Sequence, residues 1–599
     1  VKGWRWRWLG ASIALGLLLV LWLGRVRFQP ASAPAASSQL VLTALQDPGT
    51  FNPALNSEFP SIFMFAFRGL TSEDGVTGKV IPALAESWQR SPDNRQIQFT
   101  LRPGLRWSDG QPLTADDVIF TYRDVVFNEK IPAPAKDGFR IGEQRSLPTI
   151  RKLDDRRVEF TLPEPFSPIL RATAALWTGV YILPQHILQD AVDQLDENGN
   201  PQFISTWNTG TEVSKIVVNG PYLLERYVPG ERIIFRRNPY YWEKDAQGKP
   251  LPYIDRVVWQ LMESTDAQLL RFRSGELDVM GDVRPLRPEY YSLLKREEAR
   301  GKFKILIGGP WSGTTYISFN LNKGKRPNGQ PLVDPVKSRW FNTKEFRQAV
   351  AYAIDRPRLI NNIYRGISQP QDSPISVQSP YYLKPEDGLK TYEYDLKKAK
   401  DLLQSAGFQY SSAGQLLDAE GNRVQFDLIT NAGNRIREAI GAQIKVDLSQ
   451  IGIQVNFTPI NFNTLISKID DSRDWECHLI GFTGGLEPHE AANLWTSTGS
   501  SHSFNRTSQP GQEPIAGWEA SEWEQEIDRL FIQGAREFDE AKRRQIYGRF
   551  QQVVQEELPV IHLVHEIALM AVRDRVSGHQ YSGLPSWGLW NVQTLKVEE

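Results

Sequence analysis

Cysteine is almost absent: the 599 residues hold one, Cys477. That excludes an intramolecular disulfide framework and any Cys-rich metal site. It also excludes the start of a bacterial lipoprotein, which needs a cysteine directly after the apolar leader. An excess of one charge is missing too. Lysine and arginine number 69 against 70 acids, a net charge of −1, and neither half carries a long basic run, so nucleic acid is not expected as a partner. Catalytic signatures are lacking as well: there is no nucleophile elbow, P-loop, dinucleotide fingerprint or HExxH. Histidine is scarce, at seven residues. His562 and His565 stand three apart ahead of Glu566, inside the β-rich run Leu558-Pro-Val-Ile-His-Leu-Val-His-Glu566. That spacing sends two strand side chains to opposite faces, which argues against a shared metal. Cys477-His478 sits between apolar neighbours and reads as core, and Asp116-Asp117 reads as helix-start chemistry. Neither catalysis, a metal nor a cofactor is expected.

What is present is length, aromatic residues and a leader. At 68.1 kDa the chain exceeds what one hydrophobic core supports, so two or three lobes are expected. The 18 Trp, 19 Tyr and 28 Phe serve mainly as core, with a minority available to line a ligand cleft, where flat amphipathic rings hold varied solutes. Lys2, Arg5 and Arg7 precede an uncharged run from Leu9 to Gly24, followed by Pro30-Ala-Ser-Ala-Pro-Ala-Ala-Ser-Ser38. A positive start, a short apolar stretch and Ala-x-Ala-like sites fit a secretory signal, with cleavage expected near Ala33–Ala36. Arg25 and Arg27 suit instead an uncleaved membrane anchor. Both readings place the rest of the chain outside the cytoplasm, and a periplasm is the expected compartment.

Further along, strand-like and helix-like segments alternate without a repeat. Ile97, Phe99 and Leu101 alternate with polar neighbours, as do Val158, Phe160 and Leu162, the period of half-buried strands. Thr114-Ala-Asp-Asp117 resembles a capping box opening a helix with Val118, Tyr122, Val125 and Val126 inward. The polar stretch from about 187 to 215 reads as loop. Strands are expected at Arg232–Arg236 and Val257–Met262. Asp395 caps a helix striped by Leu396, Ala399, Leu402 and Leu403. Ile436, Ile440, Ile444 and Leu448 stripe another, closed by Gly452 and followed by the strand Ile453–Phe457. This succession argues for α/β lobes.

Several blocks occur in order along nearly the whole chain after the leader: Pro82-Ala-Leu-Ala-Glu-Ser-Trp88, Phe99-Thr-Leu-Arg-Pro-Gly-Leu-Arg-Trp-Ser-Asp-Gly110, Asn219-Gly-Pro-Tyr222, Arg237-Asn-Pro-Tyr-Tyr-Trp242, Ser274-Gly-Glu-Leu-Asp278, Phe346-Arg-Gln-Ala-Val-Ala-Tyr-Ala-Ile-Asp-Arg356 and Leu558-Pro-Val560. Together they resemble the family 5 extracellular solute-binding proteins, the oligopeptide, dipeptide and nickel binders of bacterial ABC importers. The resemblance implies an α/β, three-lobed periplasmic binding protein fold of type II, with a ligand cleft between two α/β lobes. Its expected organisation is residues 1–38 as leader and linker, then 39–80, 215–305 and 546–599 as a discontinuous first cleft lobe. Residues 81–214 would be an extra lobe and 306–545 the second cleft lobe. A monomer is implied that captures a peptide or other small polar solute by hinge closure and delivers it to an ABC permease and ATPase complex. An anchored sensor or chaperone-like protein with the same lobes is the alternative.

Cleft residues follow from position within that resemblance. Asn52 and Ser57 follow the opening strand. Trp311 and Tyr316 stand where the chain enters the second lobe, and Asn431 follows a strand there. The run Phe482, Thr483, Gly484, Gly485 and Glu487 occupies the place where peptide-binding relatives read Gly-Trp-x-Gly/Ala-Asp, with the Asp holding the peptide's amino group. Gly485 replaces that Asp here. Either Glu487 supplies a substitute carboxylate, or the double glycine brings backbone N–H groups against a neutral polar solute, the outcome expected.

Overall fold

The computed structural model describes residues 38–45, 47–56, 62–175, 180–482, 484–509, 512–584 and 587–598. The leader, Ser57 and Thr483 lie outside them. Among the described residues no helix is long and apolar enough to cross a membrane.

Three sheets organise the chain. The first runs in the order Gln39–Ala44, Arg256–Leu261, Arg232–Arg237, Tyr222–Val228, its opening pair parallel with Leu40 beside Val257 and Leu42 beside Trp259. The second is antiparallel, in the order Ala85–Arg90, Gln96–Leu101, Arg157–Thr161, Thr149–Asp154. Ile97, Phe99 and Leu101 point into its core as their alternation requires. The helix covering that sheet opens at Thr114 with the full reciprocal capping box to Asp117 and continues through a π-helical turn, burying Val118, Tyr122, Val125 and Val126.

The third sheet is the largest and joins the two sides of the molecule. Its central member, Val560–Arg573, pairs through its first half with Thr314–Phe319 and through its second half with Phe303–Pro310. Both pairings slip where the chain passes from one side to the other, between Ile307 and Pro310 and between Thr315 and Tyr316. Two adjacent antiparallel segments, 303–319 and 560–573, thus carry the chain across. Cys477–Phe482, Gln425–Asn431 and Gln454–Ile460 extend this sheet on the far side.

The Phe346–Arg356 block explains how this side is tied. In the helix Lys344–Ala353, Phe346, Ala349, Val350 and Ala353 are buried. The inward Arg347 and Gln348 donate to the carbonyls of Glu557 and Glu556, capping the end of the helix Glu540–Glu557, and Arg347 also donates to the Phe341 carbonyl. Arg356 donates to the His562 carbonyl at 2.7 Å and to those of Ala351 and Tyr392.

Three placements differ from the sequence expectation. The polar stretch holds a helix, Gln185–Asp193, because Leu188 and Val192 lie one turn apart and are buried. Leu183, Leu188, Phe203 and Trp207 share a core with Leu40, Phe65 and Trp259 of the first region and with Phe120 and Val125 of the extra one, so 183–207 packs between the two rather than on the extra lobe alone. The helix Glu540–Glu557 and the strand start belong to the far core through Tyr547, Phe550, Val554 and Ile561. The C-terminal return therefore falls inside Val560–Arg573, not at 546.

Candidate functional site

A cavity of about 490 Å³ lies between the three sheet-built regions. Pro53, Ala54 and Asn56 bound it from the first, Pro134, Tyr181 and Leu183 from the extra region, and Tyr316, Phe482 and Trp495 from the far one. The regions meet around its rim. Phe166 sets its ring edge-on to His489 at 5.1 Å, and Ser167 N–H donates to the Ala535 carbonyl at 2.7 Å. Leu486 packs against Gly78, where a Cβ would overlap its Cδ1.

Asn52 builds this wall without touching the cavity. It is fully buried, accepts from Ala54 N–H at 3.1 Å and donates to the Phe203 carbonyl at 3.2 Å. This cap turns Pro53–Leu55 and so presents Pro53, Ala54 and Asn56. Trp311 and Asn431 are also absent from the lining. Trp311 belongs to the crossover, its N–H donating to the Glu566 carbonyl at 2.7 Å, and Asn431 accepts from Arg437 at 2.9 Å.

Tyr316, Phe482, Gly484, Gly485 and Glu487 do come together on the cavity. Phe482 stacks on Tyr316, centroids 6.0 Å apart and planes 24° from parallel, and stays 38% exposed, which leaves a flat apolar face toward the space. Gly484 exists for close approach, since a Cβ there would overlap the Ser312 carbonyl. Glu487 is committed elsewhere: buried, it pairs with Arg543 at 2.6 Å and accepts from His489 N–H at 3.3 Å.

Sequence reasoning missed Glu490. A Cβ on Gly485 would overlap its Oε2, so this carboxyl fills the room a side chain at 485 would take. Glu490 is open to the cleft yet walled in by protein, and it lines the cavity. Desolvation there and the Glu73 carboxylate, opposed by Arg171, raise its carboxyl pKa above the usual carboxylate range. Arg171 is itself paired with Glu73 and donates to the Gly78 carbonyl at 2.9 Å. An acid five positions past Gly485 was the one available signal, and only the bend at Pro488 returns it to the glycine.

His562, Ser312 and Trp495 were missed as well. Strand alternation sends the His562 ring to the cavity side while Arg356 holds its carbonyl. Burial pushes the imidazole down to about 3, so it is neutral. Its Nδ1, Tyr316 Oη and Ser312 Oγ are buried without a partner on a cavity that all three residues line.

The family model of bacterial extracellular solute-binding proteins, family 5, middle part, matches residues 79–505. A probable ABC transporter-binding protein of Deinococcus radiodurans is 29% identical, with 89% of this chain and 88% of that protein covered. The oligopeptide-binding protein AppA of Bacillus subtilis, solved with a nonapeptide, superposes with a TM-score of 0.72 at 22% identity, over 94% of this chain and 99% of that one. MelB of Agrobacterium fabrum, solved with stachyose, gives 0.76 at 21%, over 94% and 85%. With the match running across most of the chain, this protein belongs to the bacterial extracellular solute-binding proteins of family 5.

Proposed function

We propose that the chain captures a small solute outside the cytoplasm, in the periplasm, and presents it to an ABC permease and ATPase complex, the cavity being the capture site. The observation that carries this reading is a space of about 490 Å³ walled by all three regions, within the range of pockets that bury a small molecule. A ligand touching every wall binds the closed arrangement better than an open one, and that difference in affinity drives closure. The segments 303–319 and 560–573, whose pairing slips at the crossing, are the natural place for the bend. A permease would then read the closed outline.

Small-angle scattering on protein stripped of solute by mild denaturation and refolding, then returned to the solutes of a periplasmic extract, tests it. A smaller radius of gyration after re-addition is expected, with mass spectrometry naming the molecule retained. An unchanged radius with a retained solute would count against closure, and no retained solute against capture itself.

A further inference from the structure

The segment that carries Trp495 onto the cavity is held from behind by a buried imidazole. Asn493, Leu494, Trp495 and Ser501 line the cavity. The chain runs through the one-turn helix Ala492–Trp495 and doubles back at Gly499, where a Cβ would overlap the Asn493 carbonyl. Ser501 N–H then donates to that same carbonyl at 3.0 Å. Behind the segment runs the helix Glu522–Arg536, and two acids one turn apart on it receive the chain. Asp528 accepts from Ser497 N–H at 2.8 Å and from the Ser497 hydroxyl at 2.6 Å, while Glu524 stands 2.8 Å from His502 Nε2. The other ring nitrogen, Nδ1, lies 2.9 Å from the Leu494 carbonyl, one of the oxygens that a helix end leaves without an internal partner.

This placement bears on how many protons the ring carries. Both nitrogens of His502 face oxygens, one a carbonyl and one a carboxyl. Glu524 accepts from Asn505 Nδ2 at 2.9 and 3.0 Å, from Ser521 N–H at 2.7 Å and from the Ser521 hydroxyl. Burial opposes its charge, but the bonds from His502 and Ser521 outweigh burial and hold the carboxyl below the usual carboxylate range. A neutral imidazole has one N–H and one lone pair. In either tautomer the lone pair would be set against an oxygen, and only the doubly protonated ring donates to both. His502 and Glu524 are buried, where an unmade bond is costly. Phe504 packs on the ring with centroids 4.1 Å apart, and Arg347, from Lys344–Ala353, acts on Glu524 at longer range. Asp528 is already engaged by Ser497.

Resting on the capture reading above, we propose that His502 is a positioning residue of the capture site: as an imidazolium bridging the Leu494 carbonyl and Glu524, it fixes the segment from Asn493 to Ser501 in the shape that meets the solute, and it releases that segment on losing a proton. Its contribution to capture is present in acid and lost as pH rises, for a reason located behind the wall and not on the solute.

Two measurements test it. Stripped full-length protein with nitrogen-15 in its seven histidines is followed by NMR between about pH 5 and about pH 9, a span that covers the ordinary titration of histidine. The His502→Gln spectrum identifies the resonances. His502 should show two protonated nitrogens at the acid end and one at the basic end. In Glu524→Gln the amide can donate to Nε2, so a singly protonated ring fits both partners, and the second proton should be lost at lower pH. Retention of the periplasmic-extract solutes is then measured by mass spectrometry for wild type and His502→Gln side by side. Glu490, on the same cavity and raised above the usual carboxylate range, is common to both proteins, so its effect cancels in their ratio. Wild type should retain roughly fivefold more than the variant at the acid end, with the ratio falling toward one at the basic end. A singly protonated wild-type ring at the acid end, or a ratio that does not change with pH, would overturn the proposal and leave capture intact. Should His502→Gln fail to fold, the proton count of the wild-type ring, compared with Glu524→Gln, still decides. Retention of nothing by the wild-type protein at either end would remove the capture reading, and this proposal with it.

Discussion

The contact of Leu486 with Gly78 offers a way to open the cleft without touching the ligand site. Gly78 sits at φ +66° in the turn between the strands Thr71–Glu73 and Val80–Pro82, a turn backed by Ser582, which donates to the Gly75 carbonyl at 2.5 Å, and by the Trp590 ring. Leu486 comes from the far region and is 7% exposed where it meets this turn. In Gly78→Ala the new methyl would occupy the space of Leu486 Cδ1. Two costs arise, and they separate. The left-handed backbone strain of an alanine, about 1 kcal/mol, is paid in open and closed forms alike and cancels from the closure equilibrium. The displaced leucine matters only in the closed form. Full burial of such a side chain contributes about 1.5–3 kcal/mol, and the leucine can turn partly aside, so closure should weaken by about 1–2 kcal/mol. That is roughly a five- to thirtyfold shift toward open. Spin labels at Glu231→Cys and Ala413→Cys, with the native Cys477 buried and unreactive, would report the inter-region distance by pulsed EPR. Leu486→Ala supplies the control: on that background Gly78→Ala should add almost nothing. An unchanged distance distribution in Gly78→Ala, or an equal effect with and without Leu486, would refute the reasoning.

Other expectations follow from buried charge and from helix ends. Arg543→Met strands Glu487, both side chains being nine-tenths buried, and should cost about 3–5 kcal/mol in urea denaturation, most of it recovered by adding Glu487→Gln; a single-variant loss under about 1 kcal/mol would contradict it. Burial pushes Asp282 up to about 6, so the folded chain keeps a proton that the unfolded one releases. Its share of stability, about 3 kcal/mol, is complete below about pH 4 and lost as pH rises through 6. Asp282→Asn should accordingly stabilise the protein at pH 8 and hardly at pH 4, as paired thermal melts would show. Thr114→Ala removes the capping hydroxyl and should cost about 1 kcal/mol in the same melts, with Asp117 still accepting from Gln185 N–H at 3.0 Å.

What could be read from the chain alone was local. The capping box at Thr114, the cap at Asp395, the alternation through Ile97, Phe99 and Leu101 and the stripe ending at Leu448 depend on neighbours within a few positions, because hydrogen-bond spacing and side-chain period act at that range. The ordered family blocks were legible for the same reason: they encode turns, caps and core faces. The helix Gln185–Asp193 escaped because two apolar residues in a polar stretch leave too little pattern to see.

Tertiary structure decided what the local pattern cannot carry. Whether Asn52 meets a ligand or holds up the wall depended on the carbonyl of Phe203, 151 positions away. Glu487 was equally eligible in the sequence, and the approach of Arg543, 56 positions on, took it. Glu490 became the acid in the cleft because Gly485 left room and both nearby guanidiniums were already paired. Charge pairing and burial are settled by distances in space, and the chain brings those partners together only once its separate regions have closed around one cavity.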